Sequence, residues 1–338
     1  MTTLLRRRAA LATAFAAGAA GAFTFPRRVG HADALASLRV DPTASRILVP
    51  FAAGGASDIL ARVVADILSA RMGSSYTVEN RIDAAGNISA ELVAKAAPDG
   101  RTLLLGTLCT AVTNQYLHKH LPYDSIESFA PVALIGEMAN VLVVHKNFPA
   151  RTLGEFVDHC KRVGPQRVGY VSSGPGSAGH LAMEYLQSQA GIRLTHVAQR
   201  PRTRLLEELL SGQVVVAMDS LPTYQKHIKY GQLRALGVSS GNRWFATPEI
   251  PTVAEQGFGP FDATLWWYVA VPAGTRRDLV ARLSEEIVNG LRLRSSIARI
   301  RAVGVQERPG TSEDLFLHIA AENLKWKKVI ASAGLVPQ

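Results

Sequence analysis

The sequence predicts an α/β fold of two domains, and three observations support this expectation. The chain has 338 residues, more than one ordinary hydrophobic core accommodates. Apolar residues make up 47% of it and charged residues 19%, a balance typical of a folded globular protein. From Ile47 onward, short apolar runs alternate with amphipathic segments, a pattern that indicates parallel sheets covered by helices.

The predicted elements follow from hydrophobic periodicity and from turn signals. We predict strands over residues 47–51, 76–79, 102–105, 132–136, 141–145, 168–171, 194–198, 214–218, 233–238 and 266–271. We predict helices over residues 57–72, 88–97, 152–163, 178–190, 203–210, 277–293 and 312–332. The helix over 57–72 has apolar residues three and four positions apart, and Pro98, Asp99 and Gly100 form a turn signal after the next helix.

Two α/β units must be joined by chain crossings, which we place near Val141–His145 and Val238–Ser240. Domain 1 is then discontinuous and consists of residues 45–142 and 240–338. Domain 2, residues 143–239, is inserted into domain 1.

The N-terminal 36 residues are typical of an export signal. Arg6, Arg7 and Arg8 form a basic region, and residues 9–25 are apolar but rich in Ala and Gly. Small residues at 34 and 36 fit a cleavage pattern, and residues 7–11 loosely resemble a twin-arginine signal. We therefore expect a periplasmic protein, exported by the twin-arginine or the general secretory route.

The charge and the cysteine content argue against a nucleic-acid partner and against a metal site. The formal charge of +10 lies partly in the leader arginines, and no basic run interleaved with aromatics follows, so nucleic acid is not expected as a partner. The two cysteines, Cys109 and Cys160, have no spacing typical of a zinc site. We expect no metal and two unpaired thiols, although the spacing leaves a disulfide open.

Three predicted strands end in turns rich in Gly, Ser and Thr. These turns are residues 54–58, residues 106–107 and residues 174–179, and the first and last precede a helix. Backbone N–H groups at a helix N-terminus bind anions, and small residues let a ligand approach them. The sequence therefore predicts one polar small-molecule site built from several loops, and it points to binding rather than to a particular reaction.

Two enzyme interpretations have weaker support. Residues 174–179 match the dinucleotide pattern G-x-G-x-x-G, but the next strand ends in Ala198, Gln199, Arg200 and Pro201 without the acidic residue that binds a ribose. Ser177, His180 and Asp219 suggest a hydrolytic triad, but Pro175 breaks the G-x-S-x-G elbow. We expect neither an enzyme nor a cofactor.

Several motifs in fixed order resemble one family. They are PFAAGGASDILAR (50–62), AKAAPDGRTLLLGT (94–107), LPYDSIESFAPV (121–132), YVSSGPGSAGHLA (170–182), LRALGVSS (233–240), PEIPTVAEQGF (248–258) and VAVPAGT (269–275). Over roughly residues 45–335 the chain resembles the Bug proteins, periplasmic solute receptors of tripartite tricarboxylate transporters. The resemblance implies a two-domain periplasmic-binding-protein-like (type II) fold with the ligand cleft between the domains. It also implies a monomer that takes a small organic acid to membrane permease subunits; the alternative is a ligand-loaded partner of a membrane sensor.

The resemblance also implies which residues contact the ligand. They are Phe51, Gly54, Gly55, Ser57, Asp58, Thr107, Thr110, Ser172, Ser173, Gly176, Ser177, His180, Gln199 and Asp219. At residues 197–201 the chain departs from the family pattern, with Gln199 in place of a tyrosine and Pro201 in place of a glycine. We expect this segment to change which ligand is preferred.

Overall fold

The computed structural model describes residues 44–83, 85–197 and 202–337, which belong to one compact unit. The predicted export signal, the departure at residues 199–201 and the candidate ligand contact Gln199 lie outside the described residues. Among the described residues, no helix is long and apolar enough to span a membrane.

Strands and helices alternate along the chain as predicted, with small shifts of their bounds. The strands are β1 (Ser45–Val49), β2 (Tyr76–Asn80), β3 (Thr102–Thr107), β4 (Phe129–Met138), β5 (Asn140–His145), β6 (Gly169–Tyr170), β7 (Thr195–His196), β8 (Val216–Ser220), β9 (Leu233–Val238), β10 (Leu265–Pro272) and β11 (Gln306–Gly310). The helices are α1 (Ala56–Met72), α2 (Asn87–Ala94), α3 (Asn114–Leu117), α4 (Leu153–Val163), α5 (Ala178–Ala190), α6 (Arg202–Ser211), α7 (Leu221–Lys229), α8 (Arg277–Leu291), α9 (Arg294–Ala302) and α10 (Ser312–Ala333). A π-helical turn, Cys109–Thr113, precedes α3, and a 3-10 turn, Ala254–Gln256, lies between β9 and β10.

The larger sheet has six strands in the order β11-β4-β10-β3-β1-β2. Strand β1 pairs in parallel with β2 and β3, whereas β10 runs antiparallel to both β3 and β4. The expectation of parallel sheets is therefore wrong for this sheet, which is mixed. The reason is that β10 enters between β3 and β4 only after the chain has returned from the smaller sheet.

The smaller sheet is antiparallel in the order β8-β5-β9, which again departs from the expected parallel pairing. A parallel pair, β6 and β7, lies beside it and is joined to it by a bridge between Val171 and Ala217. Helix α7, which the sequence analysis missed, follows β8 directly, so β8 and β9 are joined by one short helix. The chain is therefore an α/β fold of two lobes, each built on its own sheet.

Three chain segments are tied together where the two sheets meet. A single residue, Ala139, separates the end of β4 from the start of β5. The Asn140 N–H donates to Ser239 Oγ (2.9 Å) and its Nδ2 donates to the Ala263 carbonyl (3.0 Å). The Ser239 hydroxyl donates to the same carbonyl (3.0 Å), and the Ala263 N–H donates to the Ser239 carbonyl (2.8 Å). All three residues are buried, so water does not compete for these bonds.

The second passage of the chain between the sheets comes later than the sequence suggested. Trp244 and Ile250 belong to the same hydrophobic core as Val141 and Val238 of the smaller sheet. The chain therefore stays with the smaller sheet after residue 240 and leaves it near Ala263. The division into domains at residues 142 and 239 stays a prediction.

Helix α10 packs against both lobes, and a buried carboxylate anchors it to β10. Glu322 Oε2 accepts hydrogen bonds from Nε1 of Trp326 (2.8 Å) and Nε1 of Trp266 on β10 (3.1 Å), and Lys325 pairs with its other oxygen. The Trp326 ring meets Tyr185 of α5 edge to face, with ring centroids 6.2 Å apart. One acidic residue thus satisfies two buried indoles at the packing centre of α10.

Replacement of Glu322 by alanine is expected to lower the free energy of unfolding by about 3 kcal/mol, because two buried N–H donors lose their acceptor. Urea denaturation of Glu322→Ala measures this loss. Glu285→Ala, an exposed glutamate on α8, is the control and should stay within about 0.5 kcal/mol of the parent. A loss below about 1 kcal/mol in Glu322→Ala would contradict the role given to this carboxylate.

Candidate functional site

A cavity of about 390 Å³ brings residues of both lobes together. The smaller-sheet side contributes Ser173, Pro175, Gly176, Ser177 and His180; the rest of the lining is Ala85, Cys109, Asn114, Leu117, His118 and residues 334–336. We call this the 173–180 cavity. Its size falls within the range of small-molecule sites in proteins.

The loop before α5 places backbone N–H groups at the cavity. Ser177 is the N-cap of α5, and its hydroxyl oxygen accepts a hydrogen bond from the His180 N–H (3.3 Å). The N–H groups of Ala178 and Gly179 lie in the first turn, where a helix offers no acceptor. Gly176 has a φ of 73°, which glycine adopts without strain and which sets the direction of the chain into the cap. The positive end of α5 therefore lies at the 173–180 cavity.

Two stacked histidines hold this loop in place through hydrogen bonds. The rings of His180 and His196 stack with their centroids 4.1 Å apart. The Gly176 N–H donates to His180 Nδ1 (3.0 Å), and His196 Nε2 lies 2.9 Å from Ser172 Oγ. Burial, followed by the proximity of His196, lowers the pKa of His180 to about 3, so the imidazole is neutral at physiological pH. His180 therefore positions the loop and brings no positive charge to the cavity.

Asp219 holds the same loop from β8. Its Oδ2 accepts a hydrogen bond from Ser173 Oγ (2.5 Å), and its Oδ1 accepts one from the Ser220 N–H (2.7 Å). The carboxylate is buried. The loop thus brings four of the predicted residues to the cavity lining: Ser173, Gly176, Ser177 and His180. Ser172 and Asp219 hold the loop in place but do not line the cavity.

The loop after β1 makes its contacts within its own lobe. The Asp58 carboxylate accepts hydrogen bonds from Arg62 Nε (2.9 Å) and the Gly54 N–H (2.9 Å). Burial alone would raise the pKa of Asp58, but these bonds outweigh burial and the pKa is lowered. Ser57 Oγ accepts a bond from Trp267 Nε1 (2.8 Å). The predicted ligand contacts of this loop, which include Phe51 and Gly55, are not among the described residues that line the 173–180 cavity.

Thr107 and Thr110 support the cavity indirectly. Thr110 Oγ1 donates to the Thr107 carbonyl (3.0 Å), accepts from the Thr107 N–H (3.0 Å) and lies 3.2 Å from the Tyr268 hydroxyl. Both threonines are buried, and their bonds fix the start of the π-helical turn that carries Cys109 to the lining. Both cysteines are free, as expected.

Sequence reasoning missed several lining residues. Asn114 Nδ2 donates to the Ala85 carbonyl (2.8 Å) and to Asn87 Oδ1 (2.7 Å), so it ties the loop before α2 to α3. A π-helical turn interrupts the chain just before Asn114, and such turns are frequent at functional sites. No local motif announces a π-helical turn, and residues 334–336 reach the lining only because α10 packs where it does.

Comparisons with known proteins identify the family. The model of the tripartite tricarboxylate transporter family receptor matches residues 60–335. Protein BugT of Bordetella pertussis is 30% identical over 86% of this chain and 89% of its own length. A Rhodopseudomonas palustris protein solved with adipate is 32% identical, with a TM-score of 0.75 over 88% of this chain and 99% of that chain. MatC of Rhodopseudomonas palustris, solved with bound malate, is 28% identical, with a TM-score of 0.70 over 85% and 98%.

The fold and the site define a periplasmic-binding-protein-like solute receptor. The chain belongs to the tripartite tricarboxylate transporter receptor family, which includes the Bug proteins. Members of this family are periplasmic solute-binding proteins and not enzymes. The family and fold predictions are confirmed, and the sensor alternative is not favoured.

Stability is expected to fall as the pH is lowered from about 6.5, because His180 binds a proton in the unfolded chain but not in the folded one. His196 acts in the same direction, since burial lowers its pKa too. In His180→Gln the amide oxygen still accepts from the Gly176 N–H, but one titrating group is lost. Urea denaturation between pH 7.5 and pH 5 should therefore show a shallower pH dependence in His180→Gln.

The exposed His120 provides the matched control, and His120→Gln should keep the slope of the parent. An unchanged slope in His180→Gln would contradict a neutral, buried His180.

Proposed function

We propose that this receptor binds a small organic acid in the 173–180 cavity and presents it to the membrane subunits of a tripartite transporter. The observation that carries the proposal is the positive end of α5, with its capping Ser177, at a cavity that both lobes line. Relatives solved with adipate and with malate support a carboxylate-bearing ligand.

The carboxylate is stabilised by dipoles and not by a cationic side chain. Among the described residues, the cavity lining contains no Lys, Arg, Asp or Glu. His180 is neutral, so the donors are the first-turn N–H groups of α5 and the Ser177 hydroxyl, which would turn to the ligand from Ser172 Oγ (3.2 Å), whereas the Ser173 hydroxyl already donates to Asp219. Fixed donors bind an anion without the desolvation cost of a buried cation.

The remaining predicted contacts belong to a closed form in this proposal. The lobes are residues 44–139 with 264–337 and residues 140–263, hinged at the three-segment tie of Asn140, Ser239 and Ala263. Rotation about this hinge carries the β1–α1 loop, with Gly54 and Gly55, toward the carboxylate at the start of α5. A ligand that contacts both lobes favours the closed population.

Membership of the family supports a localisation and a set of partners. We propose that the chain is exported through its twin-arginine-like leader, that it is a monomer in the periplasm, and that the closed, loaded form is recognised by the permease subunits.

Ser177→Ala is expected to weaken acid binding about three- to tenfold, the worth of one hydrogen bond. Calorimetry with malate, adipate and hexanoate measures this change. Ser188→Ala, an exposed serine on the same helix, is the control and should bind as the parent does. Unchanged affinity in Ser177→Ala would remove Ser177 from the site, and no binding of any organic acid would overturn the ligand class.

Ligand closure is expected to reduce the radius of gyration. Small-angle scattering would be recorded without ligand and with the tightest-binding acid of that panel at saturation. The corresponding amide, which lacks the charge, is the control and should leave the profile unchanged. A profile that is identical with and without the saturating acid would contradict a hinged receptor.

A further inference from the structure

We propose that the acid taken by the 173–180 cavity has a single carboxylate and an apolar body, that is, an aliphatic or aromatic monocarboxylate. This inference rests on the proposed function and adds the chemistry of the far part of the ligand. It follows from the segment that closes the cavity after α10, residues 334–336.

The segment 334–336 offers hydrocarbon and no side-chain donor. Its side chains are those of Gly334, Leu335 and Val336, and all three residues line the cavity. Leu335 is half-buried and Val336 is 69% exposed, so an apolar ligand group gains by covering Val336.

Two of the three backbone donors of this segment are already used. The Gly334 N–H donates to the Ala331 carbonyl (3.1 Å) and the Leu335 N–H donates to the Ile330 carbonyl (3.2 Å). With Gly334 at a φ of 67°, these bonds form the motif that commonly ends a helix. These two N–H groups therefore have no capacity left for a second carboxylate.

The ends of two helices give the cavity one positive and one negative side. Tyr185, two turns into α5, contacts Trp326, two turns before the end of α10, so the helices run antiparallel. The N-terminus of α5 thus lies beside the C-terminus of α10, and both line the cavity. A carboxylate is stabilised at the first and repelled at the second.

The rest of the lining agrees with an apolar body. Leu117 lies against Gly176, and Cys109 contributes a thiol whose pKa is raised by desolvation, so it is uncharged at neutral pH. His118 is the other imidazole of the lining, and it is a side chain that a second carboxylate could use.

Three six-carbon acids that differ only at the far end test this inference: hexanoate, adipate and 6-aminohexanoate. Calorimetry on the purified chain at pH 8, where ordinary histidines are uncharged, should give hexanoate the highest affinity. Its advantage over adipate should be at least about tenfold, because the second carboxylate would be desolvated beside the negative end of α10.

A pair of variants makes the test independent of the parent's absolute affinities. Val336→Arg places a cation at the apolar side and should raise the affinity for adipate relative to hexanoate by roughly tenfold. Leu317→Arg adds the same charge to an exposed position of α10 outside the cavity and should leave the ratio unchanged.

Tightest binding of adipate or of 6-aminohexanoate to the parent chain would overturn the inference, as would an unchanged ratio in Val336→Arg. If adipate or malate binds and hexanoate does not, the proposed function stands and only this inference falls. If no acid of the panel binds, both fall.

Discussion

The fold depends on the buried tie between Asn140, Ser239 and Ala263. Both passages of the chain between the two sheets lie at this tie, and its hydrogen bonds hold them side by side. Strand β4 runs into β5 with one residue between them, so the two lobes are closely joined at this line. The 173–180 cavity is lined by residues of both lobes.

The chemistry of the cavity comes from helix ends and not from ionised side chains. Helix α10 reaches across both lobes and places its C-terminus beside the N-terminus of α5. Glu322 holds α10 against β10 through the indole N–H of Trp266 and also accepts from Trp326 of its own helix. The same packing that stabilises the protein therefore sets the polarity of the cavity, positive at Ser177 and negative at Gly334. His180, held neutral by burial, keeps the loop in place without disturbing that polarity.

The parts that the sequence predicted are those whose signals are local. The strand order along the chain and the loop that leads into the Ser177 cap depend on neighbouring residues. The loop at residues 54–58 has a similar small-residue sequence, but its Asp58 bonds to Arg62, one turn later in α1, and not to the cavity. The spacing of four residues between Asp58 and Arg62 already predicts this ion pair. The stacking of His180 on His196, the place of β10 in a mixed sheet and the wall at residues 334–336 depend on packing between distant segments, and no local pattern encodes them.

The central claim is that the ligand lies between the start of α5 and the segment after α10. Amide chemical shifts recorded by NMR during a titration with hexanoate test it most directly. The account predicts that the largest changes fall on residues 173–180 and 334–336, with smaller changes at the hinge. Largest changes confined to residues 54–58, or to the apolar groove formed by residues 125–131 and 316–324, would contradict it.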